Sequence, residues 1–414
     1  MTNIKLQVNS EVDRLRSIML HKPQAELDNL VPDNMKRLLF DDLPDTLMAG
    51  SEYDQYVQIL KDQGVKIYYL ENLVAEALDA DPTGKCREDF ILNFLQVHQV
   101  TDPAQRNYLA DYFLAIPQSL DLVLQMVKGV RKEDLPASTK ALFRMRNGEN
   151  DFFALDPLPN LYFTRDPFTI IGNTVSINTM YSQARVPEVA FAECIFHHHP
   201  AFKDQVVIHQ GTGDQGLSHV EGGDILLLNP ETVAIGVSQR TRFEAILYLA
   251  ESLFTRGGTQ DLRRVLAFEI PSKRAYMHLD TVFTQLDTDC FVVHPGIEGV
   301  LTVHEITYPN GLCQTKEVHG TLEEILCRYT DQDKIRLIKC GGDSPVDAER
   351  EQWNDGANTL ALAPGEVIVY ARNHVTNRLM EAEGIKLHKL GVSELARGRG
   401  GPHCMSMPFS RDFL

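Results

Sequence analysis

Several features are missing from this sequence, and each absence narrows what the protein can be. No run approaches the ~18 uncharged apolar residues that a membrane-spanning helix needs. The first residues, MTNIKLQVNSEVDRLRS, contain no apolar stretch of the kind that a signal peptide carries. We therefore expect a soluble, cytoplasmic protein with no membrane partner.

Positive charge is also scarce. The 414 residues include 40 Lys and Arg against 57 Asp and Glu, which gives a formal net charge of −17. A surface that binds phosphate groups needs a basic excess, so nucleic acid is not an expected partner. The acidic excess would favour a small cationic substrate, although many proteins carry such a charge for solubility alone.

The cysteines form no recognisable framework. There are seven, an odd number, and no two form a C-x-x-C pair, so neither a disulfide scaffold nor a zinc knuckle is indicated. We expect six of them to be buried as small hydrophobic side chains. Cys404 differs, because it follows the glycine-rich segment 398–403.

What the sequence does contain is a repeated pattern of strand, turn, strand, helix and strand. With 43% hydrophobic residues, the chain can bury one large core or two to three ordinary ones. Four copies are complete, and a fifth, near the N-terminus, lacks its first strand. The closing segment CMSMPF could supply that strand. The turns of the complete copies are Gly172-Asn173, Asn229-Pro230-Glu231, Asp287-Thr288-Asp289 and Pro364-Gly365.

Five similar units that close from one chain end to the other predict a ring without exposed sheet edges. We therefore predict an α/β fold, a five-fold pseudo-symmetric propeller of ββαβ units. Residues 74–150 do not fit the repeat and are predicted to form an inserted helical bundle. The predicted domains are thus 1–73 with 151–414, and 74–150. The helical segments of the insertion are DFILNFLQVHQ, AQRNYLADYFLAI, SLDLVLQMVKGV and STKALFRMR.

The loops that would face the axis of this ring are rich in acids, His and Gly. Cys404 lies in one of them and is a candidate nucleophile, although a thiol with a pKa of ~8.5 needs a neighbouring cation or base to react at neutral pH. His278, in the matching loop of another unit, is the preferred base. His403 would point away from Cys404 if this segment is extended, since alternate residues of a strand face opposite sides.

Three acids lie in the same set of loops. Glu221 could accept the second imidazole proton and orient the ring, but a simple turn acid is an equally good interpretation. Asp166 and Asp280 are ordinarily turn or cap carboxylates. Two carboxylates at the centre of one ring would instead suit a guanidinium cation, which they can hold by bidentate hydrogen bonds.

Four motifs, NLYFTRDPF, HVEGGD, MHLDTVF and RGRGGPHCMSMP, together resemble those of the arginine deiminase family. This family belongs to the guanidine-modifying superfamily of pentein propellers, and the resemblance covers essentially the whole chain. It implies hydrolysis of L-arginine to L-citrulline and ammonia through a covalent amidino-cysteine, as the first step of arginine catabolism. It also implies that no metal or organic cofactor is required.

The resemblance further implies the roles of individual residues. Cys404 would attack the guanidinium carbon, and His278 would protonate the leaving ammonia and then activate water. Arg399, on the glycine loop, could gate entry. The implied catalytic residues are Cys404, His278, Glu221, Asp166 and Asp280, and the implied substrate-binding residues are Asn160, Phe163, Arg185, Arg240 and Arg399.

Two other functions remain open. A related guanidine-modifying enzyme, an agmatine deiminase or an amidinotransferase, would use the same ring, but Arg185 and Arg240 argue against agmatine, which has no carboxylate. A non-catalytic propeller that binds a partner would need no set of Cys, His and Glu. The resemblance also implies a homodimer or a larger homo-oligomer.

Overall fold

The computed structural model describes residues 4–143, 152–209, 218–257, 261–299 and 301–413. Strands and helices alternate along most of this chain. The strands are β1 (Leu15–Leu20), β2 (Lys66–Tyr69), β3 (Val130–Arg131), β4 (Phe153–Leu155), β5 (Phe168–Ile171), β6 (Thr174–Ile177), β7 (Val206–His209), β8 (Ile225–Asn229), β9 (Thr232–Val237), β10 (Arg264–Glu269), β11 (Phe283–Asp287), β12 (Cys290–Val293), β13 (Val303–Thr307), β14 (Gln314–Val318), β15 (Arg336–Lys339), β16 (Leu360–Ala363), β17 (Glu366–Tyr370), β18 (Lys386–Leu390) and β19 (Met407–Arg411). The helices are α1 (Pro32–Met35), α2 (Thr46–Asp62), α3 (Leu70–Asp79), α4 (Lys85–Val97), α5 (Pro103–Leu114), α6 (Ser119–Lys128), α7 (Val189–His198), α8 (Phe243–Arg256), α9 (Leu322–Thr330), α10 (Pro345–Trp353) and α11 (His374–Ala382).

One pairing scheme occurs five times. In each unit a central strand pairs antiparallel with one neighbour and parallel with the other, as in β8-β9-β10. A parallel pair needs a crossover, and a helix such as α8 supplies it. The predicted α/β class and its repeated unit are confirmed, whereas the arrangement of the units around one axis stays a prediction. The other four sets are β19-β1-β2, β5-β6-β7, β11-β12-β15 and β16-β17-β18.

The two ends of the chain meet in the first of these sheets. Strand β19 pairs antiparallel with β1, with Met407 opposite Met19. The backbone N–H of Arg411 also donates to the carbonyl of Gln7 at 2.8 Å. The closing segment therefore supplies the missing strand, as predicted, although the strand begins at Met407 rather than at Cys404.

Several elements were not predicted from the sequence, among them a hairpin and a helix that lie between predicted parts of the repeats. The hairpin β13–β14 adds to the free edge of β10 and enlarges that sheet to five strands. Helix α10 follows the CGGDSP loop, with Ser344 as its N-cap and Pro345 at its first position. Neither element belongs to the repeated unit, so the repeat gave no reason to expect them.

The insertion is helical over most of the described part. Helices α4, α5 and α6 match the first three predicted segments, whereas STKALFRMR forms only a 3-10 turn over Lys140–Phe143 before residues 144–151, which lie outside the described range. The predicted boundary at residue 74 falls inside α3. The division into two domains stays a prediction.

The insertion shares its apolar core with the second unit. The ring of Phe94 on α4 makes edge contacts with Phe113 on α5, at 6.4 Å, and with Phe191 on α7, at 5.7 Å between centroids. Among the described residues, no helix combines the length and the apolar character that crossing a membrane requires.

The prediction for the cysteines was partly wrong. Four of the six are buried, but Cys313 and Cys327 are partly exposed. Cys313 precedes the added hairpin strand β14, and Cys327 lies on α9, so both belong to surface elements.

Candidate active site

A cavity of about 160 Å³ lies where the loops between the units converge. The loops that lead into β5, β11 and β19 line the cavity, and those that lead into β8 and β16 contact lining residues through Glu221 and Asn358. Glu221 and Asp280 do not line the cavity but contact residues that do. The eight other predicted residues line it: Asn160, Phe163, Asp166, Arg185, Arg240, His278, Arg399 and Cys404.

His278 is held by Glu221. Its Nε2 atom lies 2.7 Å from Oε2 of Glu221, and the other carboxylate oxygen accepts the backbone N–H of Tyr181 at 2.8 Å. Burial lowers the pKa of His278, but the charge of Asp166 and the hydrogen bond to Glu221 outweigh it and raise the pKa to about 9. The ring is therefore an imidazolium at neutral pH.

Glu221 is ionised although it is fully buried. Burial raises the pKa of Glu221, but the charge of Arg240, whose Nη1 lies 3.3 Å away, and the hydrogen bond to His278 bring that pKa below its usual range. The glycines beside Glu221 make this packing possible. A Cβ on Gly223 would lie 2.7 Å from Nδ1 of His278.

Cys404 is buried with its sulfur between an amide and a carboxylate. The side chain of Asn358 donates to Sγ at 3.1 Å and accepts the backbone N–H of Cys404 at 3.1 Å. The thiol in turn faces Oδ2 of Asp280 at 3.4 Å. Burial, followed by the charges of Asp280 and Asp166, raises the pKa of Cys404, so the sulfur is a thiol in the free protein.

His403 does not line the cavity. Its Nδ1 lies 2.8 Å from Oδ2 of Asp280, the same oxygen that faces the thiol. The segment around it is a turn rather than a strand, so the predicted geometry was wrong although the ring is directed away from the cavity. The second oxygen of Asp280, Oδ1, is buried and meets no hydrogen-bond donor among the described residues.

Asp166 and Arg185 are paired with each other. Nη1 of Arg185 lies 2.5 Å from Oδ2 of Asp166, and Nη2 lies 2.8 Å from Oε2 of Glu188. Burial lowers the pKa of Arg185, but the charges of Glu188 and Asp166 outweigh it and raise that pKa. The other oxygen of Asp166 accepts the backbone N–H of Gly223 at 3.0 Å, which places it 3.8 Å from Nδ1 of His278.

The glycine loop is shaped by two close contacts. Arg399 adopts a left-handed conformation, with φ of 64°, and its guanidinium lies 3.4 Å above the ring centroid of Trp353. A Cβ on Gly400 would lie 2.4 Å from the ring of Phe163. The loop can pass over Phe163 only because residue 400 has no side chain. Asn160 is fixed on the other wall by donating to the carbonyl of Leu38 at 2.8 Å.

Sequence analysis missed three polar residues near the cavity. Asn358 contacts Cys404, and Asp224 accepts the backbone N–H of Leu279 at 2.8 Å. Asp355 is buried with φ of 57°, and burial raises its pKa to about 7 despite the charge of Arg399. A signal was available for Asp224, which closes EGGD, but Asp355 and Asn358 stand in none of the four motifs.

Asp166, Glu221 and His278 offer ligand atoms within 4.8 Å of one another, a spacing that a metal ion could use. These atoms are already committed. His278 is protonated at neutral pH, and Asp166 and Glu221 each pair with an arginine. A metal ion would have to displace both arginine contacts and the proton of His278.

The whole chain is similar to known proteins. The family model of arginine deiminase matches residues 36–411. An arginine deiminase of Clostridium perfringens is 46% identical over 99% of this chain and 98% of its own length. The chain belongs to the arginine deiminase family. Other members, from Streptococcus agalactiae and Treponema denticola, are 44% and 43% identical over 99% and 98% of this chain, and over 98% of their own lengths.

Solved structures outside this family have the same fold at low sequence identity. An amidinotransferase from Microseira wollei aligns over 99% of this chain and 98% of its own, with a TM-score of 0.56 and 14% identity. A dimethylarginine dimethylaminohydrolase aligns over 95% of this chain and 100% of its own, with a TM-score of 0.52 and 15% identity. These proteins establish the fold that the family shares with its neighbours.

Proposed function

We propose that this protein hydrolyses L-arginine to L-citrulline and ammonia through a covalent amidino-cysteine. The observation that carries the proposal is a buried thiol and an imidazolium, Cys404 and His278, on the walls of one cavity, in a chain of the arginine deiminase family. Carboxylates act on both groups: Asp280 and Asp166 on Cys404, and Asp166 and Glu221 on His278. The site thus fits a cation that has a carbon open to nucleophilic attack.

Asp166 and Asp280 would hold the guanidinium group. Oδ1 of Asp280 is a buried acceptor that meets no donor in the described part of the chain, and a substrate N–H would satisfy it. A carboxylate ~4 Å from the substrate cation contributes on the order of 4 kcal/mol at an effective dielectric constant near 20, before desolvation is subtracted. Two such contacts hold the reacting carbon beside Sγ of Cys404.

Arg185 and Arg240 are the proposed partners of the α-carboxylate. Arg240 has one carboxylate contact, at 3.3 Å, whereas Arg185 is already held by Asp166 and Glu188. A substrate carboxylate would therefore join an existing ion-pair cluster at Arg185 and meet a less constrained cation at Arg240. Asn160, Phe163 and Arg399 would complete the walls.

The first half of the reaction forms the covalent intermediate. The substrate cation stabilises the thiolate of Cys404, and the thiol proton is released to solvent as arginine binds. The sulfur then attacks the guanidinium carbon, the bond to one terminal nitrogen breaks, and His278 gives its proton to the leaving ammonia. The imidazolium held by Glu221 is the acid that this step needs.

The second half uses the same imidazole as a base. His278, now neutral, takes a proton from water, and the hydroxide adds to the amidino carbon. The carbon–sulfur bond breaks, and the proton of the added hydroxyl passes to the departing sulfur, which returns Cys404 as a thiol and leaves neutral L-citrulline. His278 keeps the proton and is ready for the next turnover.

Incubating the pure protein with L-arginine and measuring citrulline and ammonia tests the proposal. Both products should appear in equal amounts, and their absence at micromolar enzyme would reject the function. A panel with agmatine and with an amine acceptor separates deimination of arginine from agmatine deimination and from amidino transfer.

Family membership also supports a proposal about the location of the protein and one about its oligomeric state. We propose a cytoplasmic homo-oligomer, a dimer or a larger assembly. Light scattering after size-exclusion chromatography measures the assembly, and a single 46.7 kDa species would contradict it.

A further inference from the structure

Two buried residues that the proposed reaction does not use, Glu11 and His403, are connected to the nucleophile through Asp280. Nε2 of His403 lies 3.2 Å from Oε2 of Glu11, and Nδ1 lies 2.8 Å from Oδ2 of Asp280. Glu11 is anchored on β8, because its Oε1 accepts the backbone N–H of Leu227 at 3.1 Å. A chain of contacts thus runs from Glu11 through His403 and Asp280 to the thiol of Cys404.

The charges along this chain follow from its hydrogen bonds. Burial raises the pKa of Glu11, but the hydrogen bond from His403 and the charge of Arg165 lower it to about 2. Burial also raises the pKa of Asp280, but the hydrogen bond from His403, together with nearby positive charge, outweighs burial and lowers that pKa overall. The ring of His403 is thus placed between two carboxylates, with one ring nitrogen against each.

This series of contacts also gives the two oxygens of Asp280 different surroundings. Oδ2 is committed to His403 and to the thiol of Cys404, while Oδ1 stays without a donor among the described residues. The backbone holds His403 in place as well, since its carbonyl accepts Nε of Arg165 at 3.3 Å and the hydroxyl of Ser406 at 3.0 Å. These bonds fix the backbone from which the ring of His403 reaches Asp280.

We propose that Glu11 and His403 are positioning residues, which keep Asp280 ionised and leave its Oδ1 available to the guanidinium group of the substrate. This inference rests on the proposed function, because it assigns Asp280 to the guanidinium. Other charged groups near Asp280 are His278 and Arg165, and Asp355 interacts electrostatically with both Asp280 and Cys404.

The chain contains a matched control. His21 is also buried between two carboxylates, with Nδ1 2.9 Å from Glu71 and Nε2 3.3 Å from Glu26. None of these three residues lines the cavity. His21→Gln therefore removes a buried imidazole in an equivalent setting without touching the nucleophile.

The test compares two alkylating agents of nearly equal size, cationic chloroacetamidine and neutral chloroacetamide. The rate at which each modifies Cys404 is measured by mass spectrometry of the peptide that contains it. An ionised Asp280 attracts only the cation, so the ratio of the two rates reports its charge. If a substitution only makes the site less tightly packed, the two alkylation rates rise or fall together, and their ratio stays constant.

We expect His403→Gln to lower the ratio about tenfold, because Asp280 loses its donor and becomes easier to protonate. His403→Asn, whose amide can replace Nδ1 but carries no charge, should restore part of the ratio. Glu11→Gln should give a smaller decrease, and His21→Gln should leave the ratio unchanged. The KM for arginine should rise in the same order as the ratio falls.

An unchanged ratio in folded His403 and Glu11 variants would overturn the proposal, as would an equal decrease in His21→Gln. If His403→Gln does not fold, His403→Asn and Glu11→Gln carry the same test. Failure of all three to fold would also overturn it, since the cluster would then serve folding rather than Asp280. Absence of citrulline from the wild type would reject the proposed function alone, because the alkylation ratio needs no turnover.

Discussion

At the scale of single residues, the candidate site is governed by unlike charges that are buried together. Carboxylates keep His278 protonated against the effect of burial, which lowers its pKa, whereas burial and nearby carboxylates together keep Cys404 a thiol until a cation arrives. Asp166 acts on both groups. The reactive form of the sulfur is therefore coupled to the substrate that it attacks.

Cys404→Ser should abolish citrulline formation and leave the fold intact. A serine hydroxyl in this position is far less acidic than a thiol, and no base within the site deprotonates it. Turnover is measured by citrulline and folding by circular dichroism. Cys327→Ser, on the surface of α9, is the matched control and should keep full activity. Retained turnover in Cys404→Ser would reject the assignment of the nucleophile.

The activity should fall as the pH rises through about 9. His278 has its pKa raised from 6.5 to about 9, so its proton is present below that pH and lost above it. The same shift stabilises the fold: the contribution is complete below about pH 6.5 and disappears as the pH rises through 9. The pH profile of kcat/KM and melting curves at several pH values measure these effects.

Glu221→Gln should move the alkaline limit of the profile to lower pH, because it removes a charge and a hydrogen bond that raise the pKa of His278. We expect kcat to fall by a factor of about 10² to 10⁴, in the range of general acid catalysis. Glu269→Gln, whose partner His304 is partly exposed, is the control. An unmoved alkaline limit would show that His278 is not the titrating acid.

At the scale of elements, the glycine loop between β18 and β19 determines where the nucleophile lies. It crosses Phe163 with no room for a side chain at residue 400 and then turns into Cys404. The hydroxyl of Tyr370 donates to the carbonyl of Gly400 at 2.7 Å, which helps to fix the loop. The position of the sulfur therefore depends on packing four residues away.

Gly400→Ala should reduce kcat/KM at least tenfold and destabilise the protein by about 1–3 kcal/mol, because the new methyl group overlaps the ring of Phe163. Gly391→Ala is the matched control in the same connection, since its Cβ would meet no atom within 4 Å. Its stability should stay within ~0.5 kcal/mol of the wild type. Equal effects of the two substitutions, by melting curves and turnover, would contradict this account.

At the scale of the whole molecule, the two ends of the chain complete one sheet. Strand β19 brings Phe409 against Tyr68 and Phe202, with ring centroids 5.6 and 5.8 Å apart. Arg411 is buried and donates to the carbonyls of Asp13, at 2.7 Å, and Ala361, at 2.9 Å. The last strand thus joins the first unit to the last one.

Ending the chain after Ser406 should abolish cooperative folding. The truncation removes a buried strand with two apolar side chains, a loss comparable to the total stability of about 5–15 kcal/mol of an ordinary domain. A chain that ends after Asp412 keeps β19 and should melt as the wild type does. A cooperative transition in the shorter chain, by calorimetry, would contradict the role of β19 in closing the fold.

Much of this architecture was predictable from the sequence. Units such as DILLLN with TVAIGV, and the closing strand, depend on alternation and helical spacing among near neighbours. The hairpin β13–β14 and helix α10 were not predicted, since each stands outside the repeat. Loops rich in acid, His and Gly indicated Cys404, His278 and the three carboxylates, and the cavity brings these groups together.

The sequence by itself determined the repeated unit, the motifs and hence the family, because these depend on residue types a few positions apart. Only the tertiary structure decided which charges meet. Glu11 and His403 are 392 positions apart, and Asn358 and Cys404 are 46 apart, yet each pair is in contact. No local pattern encodes such pairs, since the partners are chosen by the packing of whole units against one another.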